Sequence, residues 1–408
     1  MRHLEKPALP LPGPRRVLAD FGGLYAANAV VAFLFASSGP VAIILSVGAR
    51  GGLSESDIAS WIFGAFFVNG LISVAFSLLY RQPLVFLWSI PGAVLVGPAL
   101  GHLAFTEVVG AFLATGVLLL VLGLSGWVRR AMDAIPMPIV MGMVAGVFLR
   151  FGVDLVLAFR DGFWIAAPMT AAYVALTMAP RAARAVPPLI GALAVGAAAI
   201  AWLGEFRPPA GPLFALASPN LYVPRFSWAA MVELVVPLAI TVLAAQNAQG
   251  IAVLASVGHR APVNAITAAC GVGSILTGLV GSVSTCFTGP LTAVVSASGE
   301  KERQYTAALL VCVLALAFGL LAPLFTRLLL ATPHAFIAVL AGLAMLRVLQ
   351  NAFAASFRGR FSFGALVCFL VTVADVAIFR IGAPFWGLVF GYAASWLLER
   401  EDLRRSKA

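Results

Sequence analysis

Charge is what this sequence has least of. Only 10% of its 408 residues are charged and 62% are hydrophobic, with a mean hydropathy of +1.01. A soluble globular domain carries roughly 25% charged residues, so that class is excluded and a polytopic membrane protein is implied. Cysteine is nearly absent as well. Cys270, Cys286, Cys312 and Cys368 each fall in an apolar run, with no CxxC or CxxH spacing. That argues against a disulfide framework or a zinc site and for buried small hydrophobes. Four scattered histidines, His102, His259 and His334 near span ends among them, show no metal-ligand spacing. No HExxH helix and no Ser/His pair appears at depth, so nothing supports an intramembrane enzyme. The net charge of +10 does not point to nucleic acid, because the arginines sit at the ends of apolar runs and not among aromatics on one face. Acids are rarer still. Asp133, Glu300 and Glu302 read as solvated loop residues with basic neighbours, and Asp375 as the one carboxylate inside an apolar run, within reach of Arg380.

What is present is a succession of apolar runs. A membrane-spanning helix needs about 20 mostly apolar residues. On that measure spans are expected near 19–48, 57–79, 84–101, 106–128, 134–152, 163–179, 186–204, 229–257, 261–281, 285–299, 303–329, 333–355, 361–380 and 383–399, fourteen in all. Residues 1–18 are polar and proline-rich, which suits a cytoplasmic tail better than a cleaved signal. Residues 205–228, with five prolines, read as an external linker between two halves, 19–204 and 229–399, and 400–408 as a cytoplasmic C-terminal tail. Eighteen of the 26 basic residues fall in alternate loops, seven in the others and Arg347 within a span, which places both termini inside.

Two of these runs are interrupted in the same way. Val283-Ser284-Thr285-Cys286-Phe287-Thr288-Gly289-Pro290 and Phe86-Leu87-Trp88-Ser89-Ile90-Pro91-Gly92 each read as an extended piece that turns into a helix at a proline, which is tolerated in the first helical turn. Broken backbone at membrane depth must be buried in protein or line a cavity, so it marks a ligand site. An offset of 199 puts Pro91 on Pro290, Trp88 on Phe287 and Ser89 on Thr288. Ser46-Val47-Gly48 recurs as Ser256-Val257-Gly258, and Leu149-Arg150 as Leu346-Arg347. Seven spans per copy is odd, so the second copy is inverted, and the two broken segments should bring their helical N-termini together near the midplane. Free N–H groups and positive dipole ends there would suit an anion or carboxylate.

These features resemble the benzoate:proton symporter (BenE) family and, more distantly, uracil/xanthine permeases and sulfate-type anion transporters. The resemblance covers nearly the whole chain. Its most specific pieces are Ala245-Gln246-Asn247-Ala248-Gln249-Gly250-Ile251-Ala252, Gly258-His259-Arg260-Ala261-Pro262-Val263, Trp88-Ser89-Ile90-Pro91-Gly92-Ala93, Leu149-Arg150-Phe151-Gly152 and Ala383-Pro384-Phe385-Trp386-Gly387-Leu388. It implies an all-α polytopic membrane protein with a 7+7 inverted repeat. Spans 1–4 and 8–11 would form a core domain, and spans 5–7 and 12–14 a gate domain. Substrate would sit in the core between spans 3, 8 and 10. Relatives of this fold often dimerise through the gate, so a homodimer is an expected assembly.

Carried over by position, Gln246 and Asn247 stand where the nucleobase relatives present a carboxylate and a polar neighbour, and Thr288-Gly289 where they have a second acid. A neutral amide pair does not repel an aromatic acid. The expected substrate-binding residues are Gln246, Asn247, Gln249, Trp88, Ser89, Ile90, Cys286, Phe287, Thr288 and Gly289, with Tyr25 and Asn28 in span 1 as weaker candidates. Interhelical hydrogen bonding is the bland reading of Gln246 and Asn247, and helix capping that of Ser89 and Thr288. Trp88 and Phe287 either pack as bundle aromatics or line a substrate ring. Ser37, Ser38, Gly39 and Pro40 mark an unwound or kinked part of span 1. Arg150 and Arg347 read as structural, snorkelling to opposite faces. The expected function is a secondary transporter of the bacterial inner membrane that carries benzoate or a similar aromatic carboxylate with a proton, without a cofactor. A nucleobase or inorganic-anion carrier of the same fold and a passive channel are the rivals.

Overall fold

The structure, a computed structural model, describes residues 3–128, 130, 136–179, 186–208, 214–297, 299–376, 378–379 and 381–402. Asp133 and Arg380 lie outside the described residues. Seven helices are long and apolar enough to cross a membrane: Gly23–Arg50, Glu55–Tyr80, Phe105–Ser125, Met137–Asp161, Trp228–Ser256, Lys301–Leu320 and His334–Phe357. Shorter apolar helices cover Ile90–Ala99, Phe163–Met178, Pro188–Leu203, Val263–Leu279, Ser362–Ala374 and Ala383–Leu398. Among them lie two three-residue strands, β1 (Phe86–Trp88) and β2 (Thr285–Phe287), with a seven-residue helix, Gly289–Val295, after the second.

Several expected spans are less regular than their hydropathy. The first divides into Gly23–Ser37 and Gly39–Arg50 at Ser38, whose backbone is neither helical nor extended, at the Ser-Ser-Gly-Pro stretch expected to unwind. The stretch 303–329, read as one span, is two helices, Tyr305–Leu320 and Ala322–Leu330, with Pro323 in the first turn of the second. The run 361–380 is helical only to Ala374. Asp375 adopts a left-handed conformation that ends the helix, so this carboxylate is exposed beyond the helix end and not inside a span.

The helices pack in two groups. Met137–Asp161, Phe163–Met178, Pro188–Leu203, His334–Phe357, Ser362–Ala374 and Ala383–Leu398 pack on one another, and the other helices surround the two strands. In the second of these groups the tightest pair is Phe105–Ser125 against Val263–Leu279. A Cβ on Gly123 would lie 2.5 Å from the Ala268 nitrogen, and one on Gly116 2.9 Å from the Gly271 carbonyl, so only hydrogen fits between the two backbones. A cleft of about 540 Å³ opens where the two groups meet, with Ser46, Arg50 and Gly97 on one wall and Arg150, Asp154 and Thr372 on the other. Arg50 bridges it to Asp154 at 2.7 Å.

The linker is tied down by helix ends. The N–H groups of Arg207, Ala217 and Tyr222 donate to the carbonyls of Ala331, Leu320 and Leu279, three acceptors at helix C-termini that have no intrahelical partner. Tyr222 also donates its hydroxyl to Asp57, and burial followed by that carboxylate pushes its phenol above the ordinary range.

Gly123→Val should force this closest helix pair apart at a cost of about 1–3 kcal/mol and lower the thermal midpoint in detergent. Gly13→Ala, at a position with open space around it, should leave the midpoint unchanged. Equal midpoints for both variants would refute the close approach.

Candidate functional site

β1 and β2 form an antiparallel ladder with Phe86 opposite Phe287, Leu87 opposite Cys286 and Trp88 opposite Thr285. Two further bonds extend it, Ser89 N–H to Ser284 O at 2.9 Å and Thr288 N–H to Val85 O at 3.1 Å. Adding 199 to each residue of the first strand turns this set of pairs into itself, with Leu87 and Cys286 exchanging places at its centre. The offset is the one that aligns Pro91 with Pro290.

The outer edges of the strands are satisfied by side chains from neighbouring helices. Ser73 Oγ accepts from Phe86 N–H at 2.8 Å and lies 2.9 Å from its carbonyl. Ser274 Oγ accepts from Thr285 N–H at 3.0 Å, and Asn247 Oδ1 from Phe287 N–H at 2.8 Å. Asn69 accepts the Thr285 hydroxyl at 2.6 Å. In an interior without water each unmet backbone group costs several kcal/mol, which explains why these buried helix positions are polar.

A short helix leaves each strand, and the two are capped differently. Ser89 Oγ accepts from Gly92 N–H at 3.1 Å. Thr288 makes no such cap; its hydroxyl donates to Val85 O at 3.1 Å. Pro91 and Pro290 have no N–H, so Ile90 in one helix and Gly289 and Leu291 in the other keep N–H groups without a protein acceptor among the described residues. The ladder sets the two helix starts four strand residues apart, roughly 13 Å at 3.3 Å per residue. They do not touch.

Between them lies a cavity of about 20 Å³ lined by Phe35, Ala36, Pro40, Leu87, Trp88, Ile90, Gln246, Thr288, Pro290 and Leu291. Its wall is apolar apart from Gln246, Thr288 and the Trp88 indole. Trp88 is 3% exposed and its Nε1–H has no acceptor among the described residues. Buried donors are normally paired, so an unpaired one on a cavity wall is a recognition feature.

The structure thus gathers Trp88, Ile90, Gln246 and Thr288 on one cavity and places the other expected residues around it. Ser89 caps the first short helix and touches Thr241 at 3.3 Å. Asn247 is committed to β2 and to Cys270, 3.5 Å from its Nδ2. Cys286 is buried at the centre of the ladder, and Phe287 packs on Phe86 with ring centroids 5.6 Å apart and against Gly250. Gln249 is exposed and lies along the backbone of Gly289. Tyr25 is elsewhere: its hydroxyl accepts from Glu300 N–H at 2.9 Å and its ring lies under Arg303 at 5.2 Å. Asn28, on the same helix, is partly buried and does not line the cavity.

Glu233 went unnoticed in the sequence. It lies in the apolar helix Trp228–Ser256, is 4% exposed, and meets His102 Nε2 at 2.9 Å through Oε2. The available signal was a lone acid within an apolar run. The helix that carries it has two π-helical turns, Met231–Val235 around Glu233 and Thr241–Asn247 around Gln246 and Asn247. Such turns are frequent at functional sites.

The chain is 29% identical over 367 residues to the inner membrane protein YdcO of Escherichia coli, covering 88% of this chain and 92% of that protein. It is 27% identical over 374 residues to the benzoate membrane transport protein of Acinetobacter baylyi, covering 90% and 93%. Among solved structures, the transmembrane domain of a cyanobacterial bicarbonate transporter, BicA, matches with a TM-score of 0.61 at 14% identity, over 93% of this chain and 98% of that one. Murine Solute Carrier 26 family member A9, an anion transporter in its inward-facing state, matches with a TM-score of 0.62 at 15% identity, over 97% and 73%. At such identities the likeness is one of fold. The family profile described as benzoate membrane transport protein matches residues 23–397. The chain belongs to that family and is a membrane transporter, not an enzyme.

Proposed function

We propose that this protein is a secondary transporter of the bacterial inner membrane that imports benzoate or a related aromatic carboxylate with a proton. The observation that carries this is an apolar cavity set between the first turns of the two short helices, where backbone N–H groups lack protein acceptors among the described residues. The Ile90, Gly289 and Leu291 N–H groups and the Trp88 indole N–H have no protein acceptor, while Phe35, Leu87 and Pro40 line the wall. A carboxylate supplies the acceptors and a ring fills the apolar part. Gln246 adds an amide donor without the charge that would repel an acid. Asn247, Ser89, Cys286 and Phe287 hold the broken segments in place, and Gln249 packs on Gly289. The benzoate-transporting relative supports the same substrate class.

At about 20 Å³ the cavity has room for a water and not for a ring, so loading requires its walls to move. The 540 Å³ cleft between the helix groups runs along Val94 and Gly97 of the first short helix and is the natural approach. In this mechanism the helices around the strands are the core that carries substrate, and the other group is the gate against which it slides or rocks. Fourteen crossings in a 7+7 inverted repeat, with both termini cytoplasmic, is the topology we adopt. The two-fold symmetry of the ladder in the offset 199 and the distribution of basic residues support it. A homodimer joined through the gate is the proposed assembly.

Radiolabelled benzoate should accumulate in proteoliposomes given an inward proton gradient and fail to do so without one. Uptake blocked by uracil or sulfate but not by benzoate would overturn the substrate class in favour of a nucleobase or inorganic anion. Gln246→Ala should raise KM about tenfold, the loss of one hydrogen bond to a charged group at roughly 1.5 kcal/mol, with the thermal midpoint kept. Asn247→Ala should do the reverse and destabilise the protein by about 1–3 kcal/mol, because Phe287 N–H is left buried and unpaired. The two variants, compared by uptake kinetics and thermal unfolding, separate substrate contact from support of the ladder.

A further inference from the structure

Glu233 and His102 take no part in the cavity, yet their carboxylate and imidazole meet at 2.9 Å where the two helix groups touch. The Glu233 side chain is 3% exposed and that of His102 33%, so one partner is sealed and the other reaches solvent. The same carboxylate lies against the Gly382 backbone amide, at the N-terminus of the Ala383–Leu398 helix of the opposite group. The approach is so close that a Cβ on Gly382 would fall on the carboxylate oxygen. Among the described residues the other acid that acts on Glu233 is Asp375, beyond the end of the Ser362–Ala374 helix. Glu107, on the Phe105–Ser125 helix that packs here, is engaged with Ala104 N–H at 2.9 Å. The Ile90–Ala99 helix and the first turn of Ala383–Leu398 bring no ionisable side chain.

We propose that Glu233 and His102 are the proton-binding site of transport, and that protonation of Glu233 releases the core from the gate. The proposal rests on the transport reading above. An ionised carboxylate at this depth is held by the imidazolium, the Gly382 N–H and the positive end of that helix, and it cannot leave them while charged. The imidazolium passes its proton to Oε2: the N–H bond breaks, an O–H bond forms, and solvent reprotonates His102. The neutral carboxyl group no longer requires the Gly382 amide, so the helices can part. Glu233 and Gln246 are thirteen residues apart on one helix, about 20 Å at 1.5 Å per residue. Motion at the proton site is therefore passed to the cavity along that rod.

The test compares benzoate counterflow with proton-driven accumulation in proteoliposomes. Glu233→Gln should exchange internal for external benzoate and lose accumulation under the gradient. Accumulation by this variant at the wild-type level overturns the proposal. If the variant does not fold, His102→Gln decides: loss of the imidazolium should move the pH profile of uptake upward, and a profile superimposed on that of the wild type overturns the proposal. Failure of the wild-type protein to exchange benzoate would instead refute the substrate. The proton site is then read by infrared difference spectra across a pH step, where a protonated-carboxyl band present in the wild type and absent in Glu233→Gln supports it, and no such difference refutes it.

Discussion

The structure depends on two short strands that pair in the middle of an apolar protein. A strand pair of this length has little stability of its own, and at membrane depth water cannot satisfy its edges. Its inner edges are met by the other strand and its outer edges by Ser73, Ser274 and Asn247. The helices that supply those side chains are therefore fixed in rotation about the ladder. Where backbone groups go unmet, as in the first turns of the two short helices, they are the N–H groups that every helix start leaves without an intrahelical acceptor. Proline at the second position removes one of these donors without cost.

That arrangement gives positive potential without a cation. A lysine or arginine at the same depth would bind an anion, but it would also have to be neutralised whenever the substrate left, at a cost of several kcal/mol. Backbone dipoles carry no net charge and need no counter-ion in the empty site. No arginine lines the small cavity among the described residues. Arg50 bridges to Asp154 across the cleft, and Arg303 reaches the carbonyl of Asp20 at 2.8 Å while stacking on Tyr25.

How much of this was legible in the sequence depends on whether a residue type announces the feature. Pro91 and Pro290 do so through their setting, since each follows a small hydroxyl residue within an apolar run, and the offset between them reproduces the register of the ladder; Pro98 and Pro168, without that setting, stand inside unbroken helices. Ser38 with Gly39 and Pro40 likewise marked the break in the first helix. Orientation was not legible. Trp88 and Phe287 are equivalent by offset and share one face of the ladder, yet Trp88 lines the cavity and packs on Phe66 while Phe287 packs on Phe86. Gln246 and Asn247 are adjacent and chemically alike, but their helix sends one to the cavity and the other to a strand edge. Asp375 looked like the intramembrane acid because hydropathy runs on past Ala374, whereas the helix does not. Glu233 is sealed within a long apolar helix, and its partner, His102, comes from a loop more than a hundred residues earlier.

The π-helical turns leave no mark in composition, and they explain why a single helix does so much of the positioning. In an α-helix successive residues are 100° apart; a π turn inserts an extra residue and resets the face that follows. With one such turn at Met231–Val235 and another at Thr241–Asn247, the helix Trp228–Ser256 presents Glu233 to the gate, Thr241 to the first short helix and Asn247 to β2. A regular helix with the same side chains would rotate at least one of these groups away from its partner and leave it buried without a bond. The irregularities are thus held in place by the contacts they permit. A displacement of this helix cannot be confined to one end, because each group is anchored to a different neighbour: the gate, the short helix and the ladder.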